Sequence, residues 1–390
     1  MIIAHVITRL LLAGSEENTI ASCLAQARSG HEVLLIHGNE WHPTQLANCG
    51  RDVKLIEIRD LVHEVNPRKD IRATRALRSL FLKTRPNVVH THQSKAGIIG
   101  RCAARLANVP VIVHGVHILP FTGTGLAKKM MYLTAERGVA RFTNAFVNVS
   151  EGTRQTCLDH AVGRPEQHFV AHSGFDIDRF RNAPWPDDWR AMLGVPPNES
   201  KPPVVLMLAA LEPRKRHVEF LEVFQRITAR NPDVRLLLAG EGSTRPAVEQ
   251  AIDTLKLGAN VRLIGFHAHP EQLISLADLT VLTSLREGLP RVTVQSLAGG
   301  KPVITTVLPG IEEVVQHGVN GLITPGDDLR VTADAVADLL ASPTRLERMQ
   351  AAAARTDVST WRVDSMCATL ADIYDRFVPS EAPMPAAELR

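Results

Sequence analysis

The chain has 390 residues, 45% of them hydrophobic, enough for two domains with well-buried cores. Its 44 basic and 41 acidic residues nearly cancel, which excludes a global field for nucleic acid, and four Trp and two Tyr are too few for a base-stacking platform. Five scattered cysteines (Cys23, Cys49, Cys102, Cys157, Cys367) have no metal-site spacing and suit a reduced, cytoplasmic protein. No apolar run is long enough to span a bilayer. The opening MIIAHVITRL lacks a basic leader and a cleavage site, so it is expected to be a first strand rather than a signal peptide.

A strand is predicted over 2–7, then the loop Leu11-Leu12-Ala13-Gly14, then a helix over 15–29 with Ser15 as its N-cap. Gly30 ends the helix and 32–37 is the next strand, so Gly14 sits at the turn of a βαβ unit that faces phosphate. Glu16 and Glu17 suit the helix dipole but oppose an anion at the same end, so Gly14 is assigned to the site and both acids are left out. The helix expected over 70–83 turns Ile71, Leu77, Leu80 and Phe81 inward. It carries Arg72, Arg75, Arg78 and Lys83, with Arg68 and Lys69 just upstream. That stripe is either a solvated face or a patch for anionic lipid headgroups.

Residues 86–90 form a strand ending in His90-Thr91-His92; a helix follows over 94–107, then a strand over 109–114 with His117 just past it. No cysteine or obvious carboxylate joins these histidines, so no metal site is assigned. A strand covers 145–149. Asp176-Ile177-Asp178 has the Asp-x-Asp spacing of some metal sites but lies in a turn, and is read as structural. Residues 182–203, rich in Pro, Trp and acids, mark a linker. The second domain opens with a strand over 204–209, the basic turn Arg214-Lys215-Arg216 and a helix over 218–230. Clustered cations at such a turn suit a diphosphate. Strands follow over 234–239 and 261–264, the latter leading into Gly265-Phe266. Gly240-Glu241-Gly242 lacks the third glycine of a dinucleotide fingerprint. Helices close the chain over 332–340, 345–354 and 361–377, before a Pro- and Ala-rich tail.

The most informative stretch is TSLREGLPRVTVQSLAGGKPVITT. A β-branched run over 280–285 is broken by Gly288, Pro290 suits the first turn of a helix, and that helix runs over 292–298 to Gly299-Gly300. The loop and helix start therefore sit at the carboxyl end of a parallel strand, where open α/β sheets bind ligands. Backbone N–H groups at Arg291 and Val292 would favour an anion there, with Glu287 before the helix and Gln295 within it.

Glu287-Gly288-Leu289-Pro290, followed by Gln295 and Gly300-Lys301-Pro302-Val303, resembles the sugar-nucleotide signature of the retaining glycosyltransferases of family 4. In that family the first acid touches the donor sugar and the second holds the ribose hydroxyls. Glu287 matches the first, and Gln295 stands at the second, where an amide can bond a diol without charge. Gly14 matches the second glycine of the family's Gly–Gly loop, with Ala13 at the first. The strings VVHTHQSKAGIIGR and VPVIVHGVH resemble the family's N-terminal domain, and His117, rather than His114, matches the histidine facing the transfer site. Lys215 matches the diphosphate-binding lysine; Ala210 occupies the arginine's place, with Arg214 as its substitute; Gly265-Phe266 matches the backbone that recognises the base.

The resemblance implies an α/β GT-B fold: two facing Rossmann-like domains with parallel sheets and a C-terminal helix packing back on the first. The boundaries are 1–181, a linker at 182–203, 204–360, a crossing helix at 361–378 and a loose tail at 379–390. It implies a retaining hexosyltransferase or N-acetylhexosaminyltransferase (EC 2.4) in polysaccharide or glycoconjugate biosynthesis, using a UDP-sugar without metal or other cofactor. Glu287, His117 and Lys215 are the catalytic candidates. Gly14, Arg214, Lys215, Phe266, Glu287, Gly288, Leu289, Arg291, Val292 and Gln295 are the donor-binding set. Partners are the nucleotide sugar, a saccharide or lipid-linked saccharide acceptor and an anionic membrane, with no nucleic acid; the location is the cytoplasm, with peripheral contact at the inner face of the membrane. The alternatives are a GT-B sugar-nucleotide epimerase, a non-catalytic sugar-nucleotide-binding subunit, or a transferase acting on a small soluble acceptor such as an aminocyclitol.

Overall fold

The apolar opening of the chain becomes β1 (Ile2–Leu10), an inner strand of a seven-stranded parallel sheet. The structure is a computed structural model and describes residues 1–378; the expected loose tail lies outside them. After β1 come β2 (Glu32–Trp41), β3 (Val53–Glu57), β4 (Val88–His92), β5 (Val111–Val116), β6 (Ala145–Asn148) and β7 (His168–Val170). They lie in the order β3-β2-β1-β4-β5-β6-β7. Order reverses between β1 and β4, so the loops leaving these two strands open the crevice where such sheets take ligands.

Helices cover both faces, which is why β1, β4 and β5 are buried almost throughout. Helix α1 (Gly14–Arg28) follows β1, α2 (Pro67–Thr84) follows β3, α3 (Ser94–Leu106) follows β4, and α4 (Leu126–Ala140) follows β5. Ala73, Leu77 and Phe81 of α2 join Val6, Leu34, Val89 and Ile99 in one core. Gly97 of α3 lets that helix approach β5: a Cβ there would come within 2.5 Å of the His114 ring. Arg101 of α3 is fully buried and bonds Glu136 of α4 at 2.6 Å, fixing one helix against the other.

The second sheet contains β8 (Val204–Leu208), β9 (Arg235–Ala239), β10 (Val261–Gly265), β11 (Leu279–Leu282), β12 (Val303–Thr306) and β13 (Gly321–Thr324), in the order β10-β9-β8-β11-β12-β13. Its pairings are all parallel, and its reversal falls between β8 and β11. Helices α5 (His217–Thr228), α6 (Arg291–Ala298) and α7 (Leu329–Leu340) belong to it. Phe220 and Phe224 of α5 pack with Met207, Leu236, Val281, Ile304 and Val336. The last helix, α8 (Val363–Phe377), returns to the first sheet, where Met366, Leu370, Ile373 and Tyr374 cover Ile3, Val88 and Val113. The chain thus forms two units, Met1–Phe175 with Arg362 onward, and Asp176–Trp361. Both are Rossmann-like, and the fold is GT-B.

Several local expectations change. Ser15 does not cap α1: the N-cap is Ala13, which has no side-chain acceptor, and the Ser15 hydroxyl donates to Glu16. Helix α2 starts earlier than 70, at Pro67, because Asn66 Oδ1 accepts from the Lys69 N–H at 3.2 Å. Ile71 is 54% exposed, not inward, since the buried stripe runs through Ala73, Leu77 and Phe81. Helix α6 begins at Arg291 with Pro290 as N-cap. Residues 182–203, expected as a linker, fall within the second unit and include the short helix Trp189–Leu193. Strand β3 and helix α4 were not anticipated: β3 carries Lys54 and Glu57 within five residues, and α4 has no clean apolar stripe.

Candidate active site

In the second unit, β8 runs into the 3-10 turn Pro213–Lys215 and β11 into the loop before α6. These are the two strands at the reversal of order. The loops are stitched together: the Leu285 N–H donates to the Arg214 carbonyl at 2.8 Å, and the Thr283 hydroxyl to the Lys215 carbonyl at 2.7 Å. Arg214 and Lys215 therefore hold a fixed position relative to Glu287. Arg214 Nη1 lies 2.7 Å from Glu287 Oε1, and Lys215 Nζ pairs with the same oxygen. Only 10% of the Glu287 and Lys215 side chains is exposed, against 25% of Arg214. Arg214 Nε also bonds Glu212 at 2.8 Å.

Burial alone would raise the Glu287 carboxyl, but the charges of Lys215 and Arg214 outweigh it and hold the group below its ordinary range. Burial likewise opposes the Arg214 charge, and Glu287 with Glu212 more than restores it. The cluster therefore sets two cations around one ionised, nearly dry carboxylate, with Glu212 as a second, more exposed acid on Arg214. Beside it, Gly288 and Leu289 are buried and Arg291, Val292 and Gln295 half-buried along the first turns of α6. The Thr293 hydroxyl donates to the Pro290 carbonyl at 2.6 Å, securing the helix start. Phe266 follows β10 and is 56% exposed. Its strand lies two places from β8, about 10 Å across the sheet.

In the first unit, Gly14 opens α1 after β1, and His117 follows β5. His117 Nε2 lies 3.0 Å from His92 Nδ1, and burial pushes the His117 imidazole down to about 4. His114 is buried and bonds the Thr91 hydroxyl at 2.9 Å. Glu16 is buried as well; burial raises its carboxyl, and Gln93 Nε2 donates to it at 3.1 Å. His117 and Gln93 share a small cavity with His114, Leu119 and Phe121.

Two family models match the chain, each over one unit: Glycosyltransferase Family 4 over residues 14–179 and Glycosyl transferases group 1 over residues 192–356. The chain thus carries a Glycosyltransferase Family 4 domain followed by a Glycosyl transferases group 1 domain. It is 28% identical over 306 residues to the UDP-Gal:alpha-D-GlcNAc-diphosphoundecaprenol alpha-1,3-galactosyltransferase of Escherichia coli, covering 75% of this chain and 78% of that one. It is also 28% identical over 295 residues to the D-inositol 3-phosphate glycosyltransferase of Mycobacterium bovis, covering 70% of this chain and 59% of the relative. Among solved structures, Anabaena Alr3699/HepE in complex with UDP and glucose superposes with a TM-score of 0.80 at 21% identity, over 96% of this chain and 100% of that one.

Within this glycosyltransferase (EC 2.4), the residues picked from sequence divide by position. Arg214, Lys215 and Glu287 meet side chain to side chain, and Gly288 to Gln295 continue from Glu287. Phe266 stands apart on the same sheet, and Gly14 and His117 belong to the other unit. The direct ion pairs between Glu287 and both cations were not foreseen, since 72 residues separate Lys215 from Glu287. The companions of His117 were also missed. His5, His90 and His92 form one buried group, which the parallel pairing of β1 with β4 sets level. The alternating His90-Thr91-His92 was the available signal, because residues two apart share a strand face.

Proposed function

We propose that the chain moves a hexosyl or N-acetylhexosaminyl group from a UDP-sugar to a hydroxyl acceptor with retention at the anomeric carbon. The observation that carries this reading is Glu287 held between Arg214 and Lys215 at the reversal of the second sheet. A diphosphate brings more negative charge than one carboxylate and competes for both cations. Once they turn to it, Glu287 is released to accept from donor-sugar hydroxyls, with Gln295 toward the ribose. The UDP in the related Anabaena structure and the UDP-galactose named for the Escherichia coli relative support this choice of donor.

The bond from the anomeric carbon to the diphosphate oxygen breaks, the acceptor oxygen bonds that carbon on the same face, and the acceptor's proton passes to the leaving phosphate. Arg214 and Lys215 stabilise the charge that develops there, so activity is expected to persist in excess chelator. Loss of activity in chelator, restored by Mg²⁺ or Mn²⁺, overturns that part.

For the acceptor, we favour a lipid-linked saccharide met at an anionic membrane surface, in polysaccharide or glycoconjugate biosynthesis. No helix among the described residues is long and apolar enough to cross a membrane, so contact would be peripheral. Helix α4 exposes Leu126, Met130 and Met131 beside Lys128 and Lys129, an apolar edge with a basic rim. On α2 the basic stripe is partly engaged: Arg72 pairs with Asp60 at 2.9 Å and Arg78 donates to the Leu106 carbonyl at 3.1 Å. Co-sedimentation with anionic vesicles should be salt-sensitive and weaken on Met130→Ser with Lys129→Gln. Equal recovery in the supernatant with neutral and anionic vesicles would favour a soluble acceptor, as the inositol phosphate relative uses by name.

A further inference from the structure

Beneath His117 lies a hydrogen-bonded run of side chains drawn from β1, β4, α1 and α8. His5 on β1 pairs in register with His90 on β4, and His92 follows on the same face of its strand. Their ring centroids are 4.3 to 5.2 Å apart, and all three rings are buried. Burial pushes His5 down to about 4 and His90 and His92 well below their ordinary value, as it does His117. Near neutral pH each ring is therefore uncharged and carries one proton.

One proton per ring gives the run a direction. The Gln26 amide nitrogen faces the Tyr374 hydroxyl at 3.4 Å, so its oxygen accepts from His5 Nε2–H at 2.8 Å. His5 Nδ1 is then a lone pair and accepts from His92 Nε2–H at 2.9 Å. His92 Nδ1 in turn accepts from His117 Nε2–H at 3.0 Å. That leaves His117 Nδ1 as an acceptor. On the other branch the Tyr374 hydroxyl donates to His90 Nδ1 at 2.6 Å. Turning the Gln26 amide over would reverse every link and make His117 Nδ1 a donor.

We propose that Gln26, His5 and His92 are positioning residues that hold His117 as the Nε2–H tautomer, presenting Nδ1 to a hydroxyl of the transferred sugar or of its acceptor. This rests on reading His117 as part of the transfer site. A lone pair attracts a hydroxyl donor and repels a phosphate oxygen, so His117 selects sugar over diphosphate. Gly115 leaves room for the run: a Cβ there would lie 2.9 Å from His92 Nδ1 and 3.2 Å from His117 Nε2. Ligand atoms of His5, His90 and His92 also lie within 4.8 Å of one another, a spacing open to a transition metal. The His5–His92 hydrogen bond occupies one nitrogen of each of two of those rings with a proton, and a bound cation would have to displace it.

The test is a two-bond proton–nitrogen correlation spectrum of the ¹⁵N-histidine-labelled full chain at pH 7, with signals assigned through His5→Asn, His92→Asn and His117→Asn. The expected result is the Nε2–H tautomer at His5, His92 and His117. Gln26→Leu should let His117 exchange between tautomers and lower kcat while the donor KM stays nearly constant. An Nδ1–H or charged His117 in the unsubstituted protein overturns the proposal. So does a stoichiometric metal whose loss changes the His5 and His92 signals. If the tautomers are as expected but His117→Ala transfers sugar normally, the direction of the run stands and the placement of His117 in the transfer site falls.

Discussion

Arg214 Nη1 lies 2.7 Å from Glu287 Oε1, although the two residues leave different strands of the second sheet. Lys215 meets the same oxygen. The acid proposed for the donor sugar and the cations proposed for its diphosphate are thus one electrostatic unit, which a nucleotide bound as proposed would have to rearrange.

Glu287→Gln removes the charge that holds both cations. It should lower kcat by about 100-fold or more, since a group acting on developing charge matters most in the transition state. UDP should bind as well as before or more tightly, because Lys215 loses its carboxylate and Arg214 keeps only Glu212. Isothermal titration with UDP beside steady-state kinetics checks both; weaker UDP binding with unchanged kcat would count against the assignment.

Arg214→Ala and Lys215→Ala should each weaken UDP binding by about 10- to 100-fold, the usual loss of one charge-assisted hydrogen bond. The double substitution should cost less than the sum, as both residues serve one anion. If Arg214→Ala changes neither UDP affinity nor turnover, Arg214 does not stand in for the arginine replaced by Ala210.

The sequence carried the fold because its apolar runs and Gly/Pro breaks mark buried parallel strands, as at Val204–Leu208 and Val303–Thr306. It carried the loop where the donor site is proposed, because Gly288 and Pro290 announce the break before Arg291–Ala298. It did not carry contacts between distant segments. Glu287 pairing with Lys215, and Gln26 and Tyr374 closing around His5 and His90, depend on sheet order and on a helix returning from the end of the chain. Ile71 is exposed because the buried stripe runs through Ala73, Leu77 and Phe81, and two residues of helix put Ile71 about 200° around the axis from Ala73.

Glu136→Ala should destabilise the first unit by about 3–5 kcal/mol, since it strands the Arg101 guanidinium, which is fully buried. Replacing both partners with apolar residues of similar volume should cost much less. Urea unfolding checks the pair; near-equal losses would show that packing, not charge, dominates there.

Stability should fall steeply below pH 6.5. His5, His90, His92, His114 and His117 all have lowered values in the folded chain, so between 6.5 and about 4 the unfolded chain binds more protons. Each such group then lowers the folding constant by roughly tenfold per pH unit as pH drops. Glu287, whose value is lowered, adds a loss as pH falls below about 4.5, where the unfolded carboxyl takes up a proton that the folded one still refuses; Glu16, raised by burial, works in the opposite direction. Thermal melts from pH 8 to 4 should show a plateau above 7 and a decline beneath it. A flat profile down to pH 5 would contradict the buried, neutral state of these rings.

Retaining transfer from a UDP-sugar is proposed for a site built on Glu287, Arg214 and Lys215. The most direct measurement is the anomeric configuration of the first product, followed by proton NMR while a UDP-α-sugar and a saccharide acceptor are turned over in excess chelator. The expected product is α-linked, with release of one UDP per linkage, and is lost in Glu287→Gln. A β-linked product, or full transfer by the Glu287→Gln protein, would contradict the proposal.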